Sequence, residues 1–179
     1  PGSGSFDQVA ANFTPTTTGT YYVAVASSVQ NTYELVVTRN SAFDNGANAS
    51  LAAAQSLGAV RNVLGYATAG PGDYYSFVVD SATTLTLSTS TPGDGSGQFV
   101  NNLDPMIELY DGSGNLLAAN ADGAADGRNA LLSRAVVAGT YKARVLATSD
   151  QGEYVLQIVA SASPPPSIAP ISDAVTLEG

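Results

Sequence analysis

The sequence predicts an all-β protein, an antiparallel β-sandwich of the jelly-roll kind, on three observations. Apolar residues recur at every second position in short runs, the period of a half-buried strand and not of a helix. Clusters of Gly, Pro, Asp and Asn interrupt those runs at short intervals, as turns between strands do. One pair of runs also occurs twice: Gly19-Thr20-Tyr21 returns 120 residues later as Gly139-Thr140-Tyr141, and Tyr33-Glu34-Leu35-Val36 returns 121 residues later as Tyr154-Val155-Leu156-Gln157.

In the first copy Tyr21, Val23 and Val25 alternate with Tyr22, Ala24 and Ala26, and Tyr33, Leu35 and Val37 follow after a polar loop. The pattern predicts a hairpin, and residues 1–40 read as the closing strands of a preceding, similar module. Residues 51–57 are alanine-rich and follow Asn48 as an N-cap, so this stretch is the one candidate for a short helix. Strands then resume with Tyr75, Phe77 and Val79 inward after Asp73, then Leu85 and Leu87, then Ile107 and Leu109. Turns fall at Gly70-Pro71-Gly72, Pro92-Gly93-Asp94-Gly95, Gly112-Ser113-Gly114-Asn115 and Asp122-Gly123. In the second copy Tyr141, Ala143 and Val145 alternate with Lys142, Arg144 and Leu146, and Tyr154, Leu156 and Ile158 with Val155, Gln157 and Val159. The charges fall on one face only, which marks the tyrosine faces as buried. The predicted core is Tyr75, Phe77, Val79, Leu85, Leu87, Ile107, Leu109, Tyr141, Val145, Tyr154, Leu156 and Ile158. From Ser161 the composition changes: residues 161–170 read as a proline-rich linker. Residues 171–179 are similar to the opening strand of an immunoglobulin-like or cadherin-like module.

Composition narrows the function classes. Only 12% of the 179 residues are charged, with fifteen acids against six bases and a net charge of −9, so the basic footprint of a nucleic-acid binder is missing. No apolar run is long enough for a membrane-spanning helix. The chain has no His and no Cys, which removes disulfides, cysteine nucleophiles, imidazole bases and the usual zinc ligands. A carboxylate pair or a serine beside Lys142, the single lysine, would remain for catalysis, and neither has a sequence signature here. The reading is therefore a non-enzyme. Low lysine with abundant Thr, Gly, Ala and Val suits an extracellular or cell-surface bacterial protein.

Residues 41–160 resemble the bacterial pre-peptidase C-terminal domain. The residues that carry the resemblance are Ala54-Gln55-Ser56-Leu57-Gly58, Asp73-Tyr74-Tyr75-Ser76-Phe77, Leu103-Asp104-Pro105 with Leu109-Tyr110-Asp111 and Gly114-Asn115-Leu116-Leu117, Ala138-Gly139-Thr140-Tyr141, and Gly152-Glu153-Tyr154-Val155-Leu156. The resemblance implies a jelly-roll-like sandwich without catalytic activity of its own. It also implies calcium as the one cofactor to weigh, between an acidic segment before the domain and the Asp that opens the Asp-Tyr-Tyr-Ser-Phe strand. Asp44, with Asn45 beside it, and Asp73 match those places, whereas Ser41, Ala42, Phe43 and Gly70 depart from the pattern. The tyrosines used for collagen by related collagenase modules correspond to Leu146 and Thr148 here, and to Ala26 and Ser28 in the first copy, so the sequence departs from the collagen-binding pattern at these positions.

Two further groups are candidates. Asp104, Asp122 and Asp126, with Asn101, Asn102 and Asn120, form an alternative calcium loop if their segments meet at one end of the sandwich, while the ordinary turn chemistry of Asp and Asn competes with that reading. Tyr22, Tyr74 and Tyr110 point outward by alternation and would make a platform for sugar or peptide. The expected function is a non-catalytic accessory or spacer module of a secreted or cell-surface multidomain protein. Its partners would be neighbouring modules and a protein or polysaccharide at the cell surface. The alternative is a structural repeat of a self-assembling surface layer, adhesin or filament, with self-association through residues 1–40.

Overall fold

The computed structural model describes residue 10 and residues 13–30 and 32–162. Among the described residues ten strands form two five-stranded sheets: β1 (Ser41–Phe43), β2 (Gln55–Ser56), β3 (Asn62–Ala67), β4 (Asp73–Val79), β5 (Thr83–Ser90), β6 (Asp104–Asp111), β7 (Leu116–Asn120), β8 (Leu131–Val136), β9 (Gly139–Ser149) and β10 (Gly152–Ala162). The strand orders are β1-β3-β10-β5-β8 and β2-β4-β9-β6-β7. From β3 onward every ladder is antiparallel, and only the short edge strands β1 and β2 pair in parallel, with β3 and β4 respectively. Apart from the step from β6 to β7, successive strands after β2 alternate between the two sheets, which is the path of a jelly roll. The all-β sandwich predicted from the pattern is what forms, with mixed edges added to its antiparallel body.

All twelve predicted core residues are buried between the sheets. Their common inward phase explains this, because a strand whose apolar residues share one parity can bury them only in one register. Phe77 sits opposite Tyr141 in the β4–β9 ladder with the two rings stacked 6.3 Å apart, and the Arg61 guanidinium lies 5.6 Å from the Phe77 ring centre. Val63, Leu103, Leu132 and Val136 complete the interior.

Four expectations are corrected or bounded. The second copy is not a hairpin: β9 and β10 lie in different sheets, facing each other across the core. Residues 51–57 form no helix; Ser50 Oγ accepts the Ala53 amide at 3.2 Å in a single turn, after which Gln55 and Ser56 pair with Tyr75 and Ser76. Asn48 does not cap, because its side-chain amide donates to the Tyr74 carbonyl at 3.1 Å and its own carbonyl accepts the Tyr74 amide at 2.9 Å. A stretch of seven residues cannot sustain a helix against such strand contacts. In the first copy no strand forms among the described residues of 13–40. Ser161 and Ala162 belong to β10, pairing with Thr84 and Thr83, so the linker does not begin at Ser161; the rest of 161–170 and all of 171–179 lie outside the described residues.

Candidate functional site

Four side chains from β4, β10 and the segment after β1 meet at one end of the core. Asp73 opens β4, and Tyr75 two residues on points inward from the same strand. Tyr154 approaches from β10 in the opposite sheet, standing over Gly65, its partner in the β3–β10 ladder. A side chain at position 65 would overlap the Tyr154 phenol, so glycine is what makes room for the ring. The two phenol oxygens lie 2.5 Å apart. Tyr75 donates to Asp44 Oδ1 at 3.0 Å, and Tyr154 donates to Asp73 Oδ2 at 2.8 Å. Asp44 is fixed in turn by its amide on the Leu64 carbonyl at 2.9 Å and by the Gly46 amide on its Oδ2 at 3.0 Å. Gln55 steadies the same segment, accepting from the Asn45 amide and donating to the Phe43 carbonyl, both at 2.9 Å.

Burial raises the Asp73 carboxyl to about 6, with the neighbouring Asp44 charge adding to the rise and the Tyr154 hydroxyl opposing it. Burial, reinforced by the nearby acids, also holds both phenols protonated well beyond the usual tyrosine range. Asp44 and Asp73 thus stand at the two ends of one hydrogen-bonded chain, with the Tyr75 and Tyr154 hydroxyls between them. Carboxylate and amide oxygens are the hard donors calcium takes. Besides the two aspartates, Asn48 Oδ1 is buried with no hydrogen-bond partner, so the donors near this end of the core fit such an ion in kind. No three Asp or Glu converge among the described residues, so a bound calcium would draw the rest of its shell from backbone and water.

The second acidic set does not converge. Asp126 binds its own turn, accepting from the amides of Arg128 at 3.0 Å and Asn129 at 2.9 Å and from the Asn129 side chain at 2.6 Å. The Asn129 side chain, then these amides, lower its carboxyl to about 2. Asp122 is exposed, as is Asn102. Asp104 stands at the start of β6, where its carbonyl accepts the Thr148 hydroxyl at 3.0 Å. Asn101 is buried and donates to the Pro92 and Glu153 carbonyls, both at 2.8 Å, while Asn120 Oδ1 accepts the Gly123 and Leu131 amides at 2.8 and 3.0 Å. These residues hold loops. The residue that joins the loops is one that the sequence reading did not single out: Arg128 donates to the Asn101 carbonyl at 2.6 Å, the Thr91 hydroxyl at 2.7 Å and Asp94 at 2.9 Å. The signal available in the sequence was a lone arginine set among Asp, Gly and Asn.

On the outer face of the second sheet Tyr74 and Tyr110 come together, ring centres 6.2 Å apart. Arg144 stands opposite Tyr74 in the β4–β9 ladder and opposite Glu108 in the β6–β9 ladder, 5.3 Å from the Tyr74 ring centre, and its guanidinium and the Tyr110 hydroxyl both bind Glu108 Oε2, at 2.9 and 2.6 Å. Both tyrosines are half-buried in this cluster, with the Tyr110 phenol pushed up to about 12 by burial and then by Glu108. Tyr22 is 91% exposed in the first copy.

The fold and its acidic, tyrosine-bridged end define a small β-sandwich module of jelly-roll path. Residues 71–147, from the turn before β4 into β9, match the family model of the bacterial pre-peptidase C-terminal domain. Domains of this family occur in secreted, multidomain bacterial proteins. A crystal structure of the pre-peptidase C-terminal domain of a Bacillus anthracis collagenase is 21% identical and superposes with a TM-score of 0.46, over 59% of this chain and 94% of that one. The Aeromonas hydrophila protein PliG, a periplasmic inhibitor of g-type lysozyme, is 13% identical with a TM-score of 0.41, over 68% of this chain and 99% of that one. No curated protein matches the chain. No helix among the described residues is long and apolar enough to cross a membrane.

Proposed function

We propose that the chain is a non-catalytic accessory or spacer module of a secreted or cell-surface bacterial protein, assisting attachment to a substrate or surface. The observation that carries this reading is the family match over residues 71–147, laid on a sandwich whose loop carboxylates serve its own turns. In the same reading Asp44 and Asp73 are the calcium ligands of the module, the ion neutralising two acids that share one end of the core. The outer-face pair of Tyr74 and Tyr110 is the surface offered to protein or polysaccharide, since each ring presents apolar area beside a polar tip. The test compares the natural multidomain protein with a version lacking residues 41–162. Loss of retention on an insoluble or cell-bound target, with turnover of a soluble substrate unchanged, is the expected result. Unchanged retention, or turnover by the purified chain 1–179 that survives rigorous purification, would overturn the proposal.

A further inference from the structure

The strands β9 and β10 make an arch. β9 lies between β4 and β6 in one sheet and β10 between β3 and β5 in the other, so the two strands share no ladder and each depends on two neighbours for its backbone hydrogen bonds. Residues 19–37 repeat the sequence pattern of this arch. Gly19, Tyr21, Val23 and Val25 match Gly139, Tyr141, Ala143 and Val145, and Tyr33, Leu35 and Val37 match Tyr154, Leu156 and Ile158. The entry turn matches too: the Tyr21 hydroxyl donates to the Thr17 carbonyl four residues back at 2.5 Å, as the Tyr141 hydroxyl donates to the Val137 carbonyl at 3.0 Å. Packing separates the copies. The six inward residues of β9 and β10 are at most 6% exposed, whereas Tyr21, Val23, Val25, Tyr33, Leu35 and Val37 are 47–73% exposed.

We infer that residues 19–37 are an interaction element, the closing arch of a second jelly roll, and that its partner is the rest of that jelly roll, supplied by the same polypeptide upstream of Pro1. A second copy of this chain has no vacancy to offer, because its seats between β4 and β6 and between β3 and β5 are filled by its own β9 and β10. In the complete sandwich all four ladder partners precede β9 in the chain, so the partners of Tyr21 and Tyr33 precede Gly19. Docking is by strand addition, with main-chain bonds for affinity and alternate side chains for register. Tyr33 then takes the place of Tyr154, whose hydroxyl meets Tyr75 and Asp73. The upstream partner is accordingly expected to carry Asp-x-Tyr at the start of its counterpart of β4.

The test extends the chain upstream by about one repeat length of 120 residues along its natural sequence. Hydrogen exchange at residues 20–26 and 33–37 is expected to slow on the order of a hundredfold or more relative to the chain 1–179. In the extended chain Val23→Asp with Leu35→Asp should abolish that protection and leave the melting of 41–162 unchanged. Free exchange of these residues in the wild-type extended chain overturns the proposal, as does an upstream sequence too short for six strands or lacking Asp-x-Tyr. So does a dimer of 1–179, seen by sedimentation, that the double substitution dissociates, since that outcome assigns the arch to self-association.

Discussion

The Tyr75 and Tyr154 hydroxyls, 79 positions apart in sequence, meet at 2.5 Å across the two sheets. Each phenol then reaches an aspartate, so an unbroken chain of oxygens runs from Asp44 through Tyr75 and Tyr154 to Asp73. It ties the segment after β1 to both faces of the sandwich. In a dry core such a network is worth more than its separate contacts, and a missing member leaves a buried polar atom unsatisfied.

The core register makes the simplest prediction. Phe77 is buried against Tyr141, whereas Ser76 lies on the outer face opposite Lys142. Phe77→Ala should cost about 3–5 kcal/mol. Ser76→Ala should cost little, as outer-face substitutions do. Denaturant melts of both variants check this, and equal costs would mean that β4 is out of register by one residue.

Gly65 is predicted to be intolerant of any side chain. A methyl at this position would overlap the Tyr154 phenol, so Gly65→Ala should destabilise by about 1–3 kcal/mol through overpacking. It should also shift the near-ultraviolet tyrosine signal, which Gly70→Ala, in open space, should leave alone.

Calcium bears on the paired acids. With Asp44 and Asp73 as ligands, a hundredfold excess of calcium over Kd stabilises the fold by about 2.7 kcal/mol. The Tm of calcium-loaded protein should therefore fall on chelation, and Asp73→Asn should remove the difference. A Tm indifferent to both calcium titration and chelator would leave the aspartates with only their tyrosine contacts and the Gly46 amide on Asp44.

In calcium-free buffer Asp73 should also shape the pH profile. Three oxygen contacts share two phenol protons, and a protonated Asp73 supplies the third. Its folded value of about 6 lies above the ordinary 3.8, so its contribution is fully present below about pH 4 and is lost as pH rises through 6. Denaturant melts from pH 4 to 7 should show stability falling over that window, and Asp73→Asn should flatten the slope.

The strands with clean alternation were legible because a period of two fixes both the element and its buried face; Tyr75, Leu87 and Leu156 are examples. β3 was not legible, since Val63 and Leu64 are buried on opposite faces and Gly65 interrupts the run. Nor does local pattern say which strands pair: the likeness of β9 and β10 to a hairpin is dissolved by topology, which sends them to different sheets. The acids of the clasp, Asp44 and Asp73, were singled out by resemblance, and its tyrosines were recognised as core from their phase. Their hydroxyl contact was not visible, because it joins residues far apart in sequence. Arg128 was passed over for the same reason, its three partners lying 27 to 37 residues away.

A double-mutant cycle on Tyr75→Phe and Tyr154→Phe tests most directly whether the oxygen chain fastens the two sheets. Phenylalanine keeps the ring packing and removes only the hydroxyl. Stability measured by denaturant unfolding should give a coupling energy of about 0.5–3 kcal/mol between the two positions. Single-variant losses that add without coupling would contradict the clasp, leaving Tyr75 and Tyr154 as two core rings that happen to touch.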